Sequence, residues 1–212
     1  MKERPILFSA PMVRAILAGT KTQTRRVVKP RKDPDFGCHM APCEIAGDEH
    51  KARLCPYGQP GDRLWVRESF IHEPADYCWE ASVSIPSRPA STVYRADADD
   101  PNGGRWSPSI HMPRWASRIT LEVTGVRVER LQDISEVDAI AEGIERGAGF
   151  PGWYRGPLAG DSASLQQAGR DFKIPTAFPH LAYRALWESI NGPGSWDANP
   201  WVWVVEFRRV PQ

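Results

Sequence analysis

The chain has 212 residues, 41% of them hydrophobic and 25% charged, with a formal net charge of +1. That length allows one sizeable core or at most two small ones. The composition is ordinary for a globular protein, and the near-zero charge excludes a molecule that is basic all over. No apolar run approaches the roughly 20 residues a membrane helix needs. The N-terminal Met-Lys-Glu-Arg-Pro lacks an apolar signal core and a small-residue cleavage site, so the expected setting is the cytoplasm, away from membranes. Twenty prolines and 17 glycines favour short strands and long connections.

In chain order, Ile6-Leu7-Phe8 is a short apolar run, and Ser9 is placed to cap a helix through Met12, Val13, Ile16 and Leu17, which share one face. Gly19 ends that helix. Lys21 to Val28 is strand-like, with two threonines and two valines. Prolines 30, 34, 42, 56 and 60 make residues 29–61 a long insertion. Pro60-Gly61-Asp62 is a turn into a strand, Arg63 to Glu68. Residues 72–117 are irregular apart from a short strand near Thr92 to Arg95. In Arg118 to Leu131, Ile119, Leu121 and Val123 alternate on one face and Val126 and Val128 in the opposite phase. Gly125 at the switch predicts a bulge. Ser135, with Asp138 three residues on, opens a short helix that Gly143 ends. Residues 145–177 are a Gly- and Pro-rich excursion. His180 to Ile190 is an amphipathic helix, and Trp201 to Arg208 a last strand with Trp201, Trp203, Val205 and Phe207 on one face. The expected architecture is a single α+β domain over residues 1–212: one small bent β-barrel with short flanking helices and insertions around 29–61, 72–117 and 145–177.

Charge is uneven along this chain. Lys21 to Lys32 holds six basic residues and no acidic one, enough to neutralise several phosphates, although a solvated edge strand carries such a run equally well. Ala18-Gly19-Thr20-Lys21-Thr22-Gln23-Thr24-Arg25-Arg26 resembles the signature of the ASCH family, whose fold is a PUA-like barrel. Pro60-Gly61-Asp62, Ala139 to Ile144 and Trp201 to Phe207 resemble three further landmarks in the family's order. The long insertions resemble those of longer phage and prophage members.

The resemblance implies a cytoplasmic protein that handles RNA or a modified pyrimidine nucleoside, with no cofactor. Some short bacterial ASCH proteins hydrolyse the amide of N4-acetylcytidine, and their catalytic residues would fall on Lys21 as base, Thr24 as nucleophile or water-positioner, and Glu142 as proton carrier. Arg25 and Arg26 would bind substrate. The alternatives are a non-catalytic RNA-binding module and a ribonuclease. In a regular strand Lys21 and Thr24 point to opposite faces, so they converge only if Lys21 sits in the turn or the strand is bulged.

Outside that motif, Glu68 is in phase with Leu64 and Val66 and needs a partner if buried; it could serve as a second acid at the substrate site or pair with Arg25 or Arg26, and a structural salt bridge is the plainer reading. His111 and Arg114 lie in a Trp- and Arg-rich stretch suited to contact bases or phosphate, or simply to pack as a loop. Cys38, Cys43 and Cys55, with His39, could clip the first insertion around zinc, but only Cys38 and Cys43 have a zinc-like spacing. Free thiols are the expected state of these cysteines and of Cys78.

Overall fold

The structure is a computed structural model that describes residues 1–33, 37–46, 53–73, 77–78, 83–84, 91–98, 105–146, 154–155 and 178–211. The side chain of Cys78 and most of the 145–177 excursion lie outside the described residues. Five strands form the main sheet: β1 (Glu3–Leu7), β2 (Gln23–Val27), β3 (Arg63–Arg67), β4 (Thr120–Arg130) and β5 (Trp201–Arg209). Among the described residues four α-helices accompany them: α1 (Ala10–Leu17), α2 (Pro42–Ala46), α3 (Glu136–Ala141) and α4 (Pro179–Asn191). Short two-stranded ladders pair Arg31–Lys32 with His39–Met40 and Phe70–Glu73 with Ser91–Tyr94.

The sheet order is β1-β3-β4-β5-β2. β1 runs parallel to β3, and the remaining pairs are antiparallel. β1 and β2 are therefore the two edges, and no backbone ladder joins them. The expected barrel is not formed: the sheet is open. Closure fails for a local reason. The edges come within reach of each other, but an arginine side chain spans the gap, with Arg26 Nη2 donating to the Leu7 carbonyl at 2.6 Å. The contact across the edges is thus made by a side chain and not by the backbone pairs, ~4.8 Å apart, that a closing ladder requires.

β4 crosses the middle of the sheet. Its register on β5 shifts between Val123 and Gly125, where the sequence changes phase. The approach there is close, since a Cβ on Gly125 would stand 2.6 Å from Glu206 Oε2. Leu121 and Val123 face one core with Leu64, Val66, Val13 and Ile16. β5 differs from the one-faced strand expected from its sequence. Trp203, Val205 and Phe207 enter that first core, while Val202 and Val204 enter a second one with Leu186, Trp187, Tyr183 and Ala139. A strand buried on both sides reads as a continuous apolar run, and Trp201 to Val205 is one.

α3 begins as its sequence dictates, with Ser135 Oγ accepting from the Asp138 amide at 3.1 Å. It stops at Gly143, whose φ of +94° suits only glycine. The Ser135→Ala variant should lose about 1 kcal/mol of stability, the usual worth of such a cap. Leu121→Ala, which empties a fully buried position in the central strand, should lose about 3 kcal/mol. Urea unfolding of both variants beside the parent chain reads the difference.

Candidate functional site

The turn after α1 carries the chain from Gly19 (φ +77°) to the end of α3. There the Thr22 amide donates to the Ala141 carbonyl at 2.8 Å, and Lys21 bridges Glu142. Lys21 thus stands before β2 begins and escapes the strand alternation. Its ammonium donates to Glu142 Oε2 at 2.7 Å, to the Glu142 carbonyl at 2.9 Å and to the Gln23 carbonyl at 2.8 Å. An ammonium has three N–H groups, and all three are used.

The second oxygen of Glu142 accepts from Arg25 Nη1 at 3.3 Å. Arg25 is buried on the α3 and α4 face of the sheet. It also donates to Glu129 from Nε (3.1 Å) and Nη2 (2.5 Å), meets Asp138 at 3.3 Å, and lies 5.8 Å from the centre of the Tyr183 ring. Arg127 continues the network to Glu129, Asp138 and Glu206. Burial pushes the Lys21 ammonium below its ordinary value, and the Glu142 carboxylate offsets part of that push. Burial, reinforced by Glu142, holds the Tyr183 hydroxyl well above its ordinary value. For Arg25, burial works against the charge, but Glu142 and its other partners outweigh it and raise the value.

Beside this cluster lies a cavity of about 430 Å³, in the gap between the two sheet edges. Thr24, Arg25, Arg26 and Glu142 line it together with Phe8, Ser9, Met12, Leu186 and Trp187. Lys21 is not in its wall; its side chain is fully buried. The guanidinium of Arg26 stands 5.4 Å from the Phe8 ring centre, and its Nε is buried with no hydrogen-bond partner. Ser9 Oγ and Trp187 Nε1 share that condition. Ser9 and Trp187 were legible in the sequence only as a helix cap and a core position, and nothing in their local pattern marks a cavity wall. Glu129 and Asp138 reach Arg25 through strand and helix pairing that no spacing reveals.

The remaining predicted residues lie elsewhere. Glu68 is buried but takes neither Arg25 nor Arg26. Its partner is Arg118, with Nε to Oε1 at 2.9 Å and Nη2 to Oε2 at 3.2 Å, and Arg118 also holds Asp97 and covers the Tyr94 ring. Arg114 is exposed and pairs with Glu3 at 3.1 Å. His111 is exposed in a 3-10 turn, Ser109–His111, of which only Ser109 reaches the cavity. The zinc alternative is not assembled. Cys38, His39 and Cys43 are exposed, Cys55 is packed in the first core, and no metal-binding group of three exists among the described residues. Burial pushes the Cys55 thiol up to about 11.

Two outcomes follow from these charges. Lys21→Met removes one of the two cations on a buried carboxylate and should cost about 3 kcal/mol of stability in urea unfolding. Burial raises Glu68 above its ordinary 4.5, with Arg118 offsetting part of the rise. Between 4.5 and its folded value the folded chain binds more protons than the unfolded one, so Glu68 lowers stability as pH rises through that window. Glu68→Gln should remove this slope from urea midpoints measured across the weakly acid range.

No protein-family model, no curated protein and no solved structure matches the chain. With an open sheet in place of the barrel, the chain gives no basis for an ASCH-type RNA- or nucleoside-binding protein, for an amidohydrolase of N4-acetylcytidine, or for a ribonuclease. Of the six cations of the basic segment, Lys21 and Arg25 are buried and matched by carboxylates, while Lys29, Arg31 and Lys32 are exposed. No helix among the described residues is long and apolar enough to cross a membrane. The likeness of Ala18 to Arg26 to the ASCH signature stands as a likeness of sequence.

Proposed function

We propose that the protein binds a small, partly apolar molecule carrying an anionic group, with the body of the ligand between Phe8 and Trp187 and its charge on Arg26. The observation that carries this reading is the state of Arg26. Lys21, Arg25 and Arg127 are each matched by carboxylates. Arg26 lines the cavity, and among the described residues no carboxylate pairs with it. Among the described residues its guanidinium donates to the Leu7 carbonyl and lies against the Phe8 ring. A ligand oxyanion in the cavity beside this guanidinium would form a charge-assisted bond.

Ser9 stands in the same wall. Ser9 is also the N-cap of α1, so the positive end of that helix adds to the field at the anion. The volume of about 430 Å³ suits a small ligand, and a mostly apolar lining with a few convergent polar groups is the usual make-up of such sites. Binding is favoured over catalysis because the candidate acid–base groups are occupied. Lys21 has no N–H to spare, and both Glu142 oxygens are held by cations. A cytoplasmic setting is part of the proposal, since Cys38 and Cys43 are exposed free thiols, a state that a reducing compartment maintains.

Titration calorimetry with phenylbutyrate and its uncharged alcohol analogue tests the reading. The acid should bind and the alcohol should bind at least tenfold more weakly, by the ~1.5–3 kcal/mol a hydrogen bond to a charged group is worth. Arg26→Met should remove that preference. Equal binding of acid and alcohol, or full binding of the acid by Arg26→Met, would overturn it.

A further inference from the structure

Beyond the anionic group, we propose that the ligand is an N-acylated α-amino acid, free or as the carboxyl end of a peptide, whose amide N–H pairs with the Arg25 carbonyl on the free edge of β2. The inference rests on the reading of the cavity as an anion-binding site and names the class of ligand it takes.

The direction of the backbone in β2 carries it. In an antiparallel pair, successive residues turn their N–H and C=O groups alternately toward the partner strand and away from it. At the two ends of β2, the Phe207 amide donates to the Thr22 carbonyl at 2.9 Å and the Val28 amide to the Trp201 carbonyl at 2.8 Å. The register between them is unbroken, so Thr24 and Arg26 also turn toward β5. Gln23, Arg25 and Val27 turn away, to the side where β2 has no neighbouring strand. The Gln23 carbonyl is taken by the Lys21 ammonium. Among the described residues, no group pairs with the backbone N–H or C=O of Arg25.

Arg25 presents that backbone to the cavity. Its side chain is fully enclosed, yet the residue keeps 4% of its surface and lines the cavity, so what it shows there is main chain. Val27, the next outward-turned residue, is exposed, and bulk solvent can pair with it. At Arg25 the space is confined, and a main-chain group so nearly buried is normally paired. A free sheet edge pairs with extended main chain from another molecule.

The order of groups along the edge sets the ligand. Arg26, which receives the charge, follows Arg25 in β2. A ligand running parallel to β2 brings an amide N–H to the Arg25 carbonyl and, one carbon on, a carboxylate toward the Arg26 guanidinium. That order of groups is an N-acylated α-amino acid. A free amino acid fits poorly, because its ammonium would stand near Arg26 and both oxygens of Glu142, a carboxylate of this wall, are already held. In a parallel pairing the Arg25 N–H donates to a carbonyl two residues earlier in the ligand, which a peptide end supplies and a simple acylamino acid lacks.

Titration calorimetry on the full chain compares N-acetylphenylalanine with O-acetylphenyllactate, the ester in which oxygen replaces the N–H, and with phenylbutyrate. The amide should bind roughly three- to tenfold more tightly than the ester, the usual net worth of a neutral hydrogen bond. It should also shift the carbonyl carbon of Arg25 downfield in the NMR spectrum, where the ester does not. N-acetylglycylphenylalanine separates the two sources: a further gain marks a peptide end, and no gain marks the free acylamino acid. If the acids bind and amide and ester are equal, or if the amide gains without shifting the Arg25 carbonyl, the edge inference fails and the anion site stands. If none of the acids binds, both fail.

Discussion

The carboxylate of Glu142 is the point to which the rest of this structure is tied. It sits at the end of α3, is almost wholly buried, and is held by Lys21 on one oxygen and Arg25 on the other. A buried carboxylate needs charge and hydrogen bonds on every side to be tolerable. Meeting that need fixes the turn before β2, the edge strand itself and the short helix relative to one another. Arg25 then passes the constraint on to Glu129 in β4 and Asp138 in α3. Ions that would be costly singly become a clasp across three elements.

That clasp also accounts for the position of the cavity. With β2 pinned to β5 on one side and to α3 through Lys21, its other edge faces β1 across a gap that the Arg26 side chain spans. The second core, built on α4, supplies the far wall with Leu186 and Trp187. The space therefore exists because the sheet stops short of closure. Polar atoms meet there because the wall combines an edge strand, a helix start and a helix face, none of which was shaped by pairing with the others.

Two kinds of cation are thereby separated within one hexad of sequence. Lys21 and Arg25 point into the protein and are neutralised; Arg26, on the opposite face of β2 from Arg25, reaches the cavity without a carboxylate. Strand alternation alone assigns Arg25 and Arg26 to opposite faces. Their different fates follow from what each face meets, acidic side chains of β4 and α3 on one side and Phe8 with the Leu7 carbonyl on the other.

Much of the local structure was written in the chain. Ser135 with Asp138 marked the start of α3, Gly143 its end, Gly125 the bulge in β4, and the spacing of apolar residues gave α1 and α4, because each is decided by the chemistry of a few adjacent residues. That Thr24, Arg25, Arg26 and Glu142 line one cavity while Lys21 is buried beside it is a matter of tertiary packing. What sequence could not decide was whether the edges of the sheet would pair, which partner Glu68 would take, or that β5 would be buried on both faces. Those depend on groups far apart in the chain, such as Glu68 with Arg118, fifty residues on, or on how far β1 lies from β2. Local pattern fixes a residue's backbone and the side to which it points; only packing of the whole chain fixes what stands opposite it, because pairing and burial are settled by distances in space and not along the sequence.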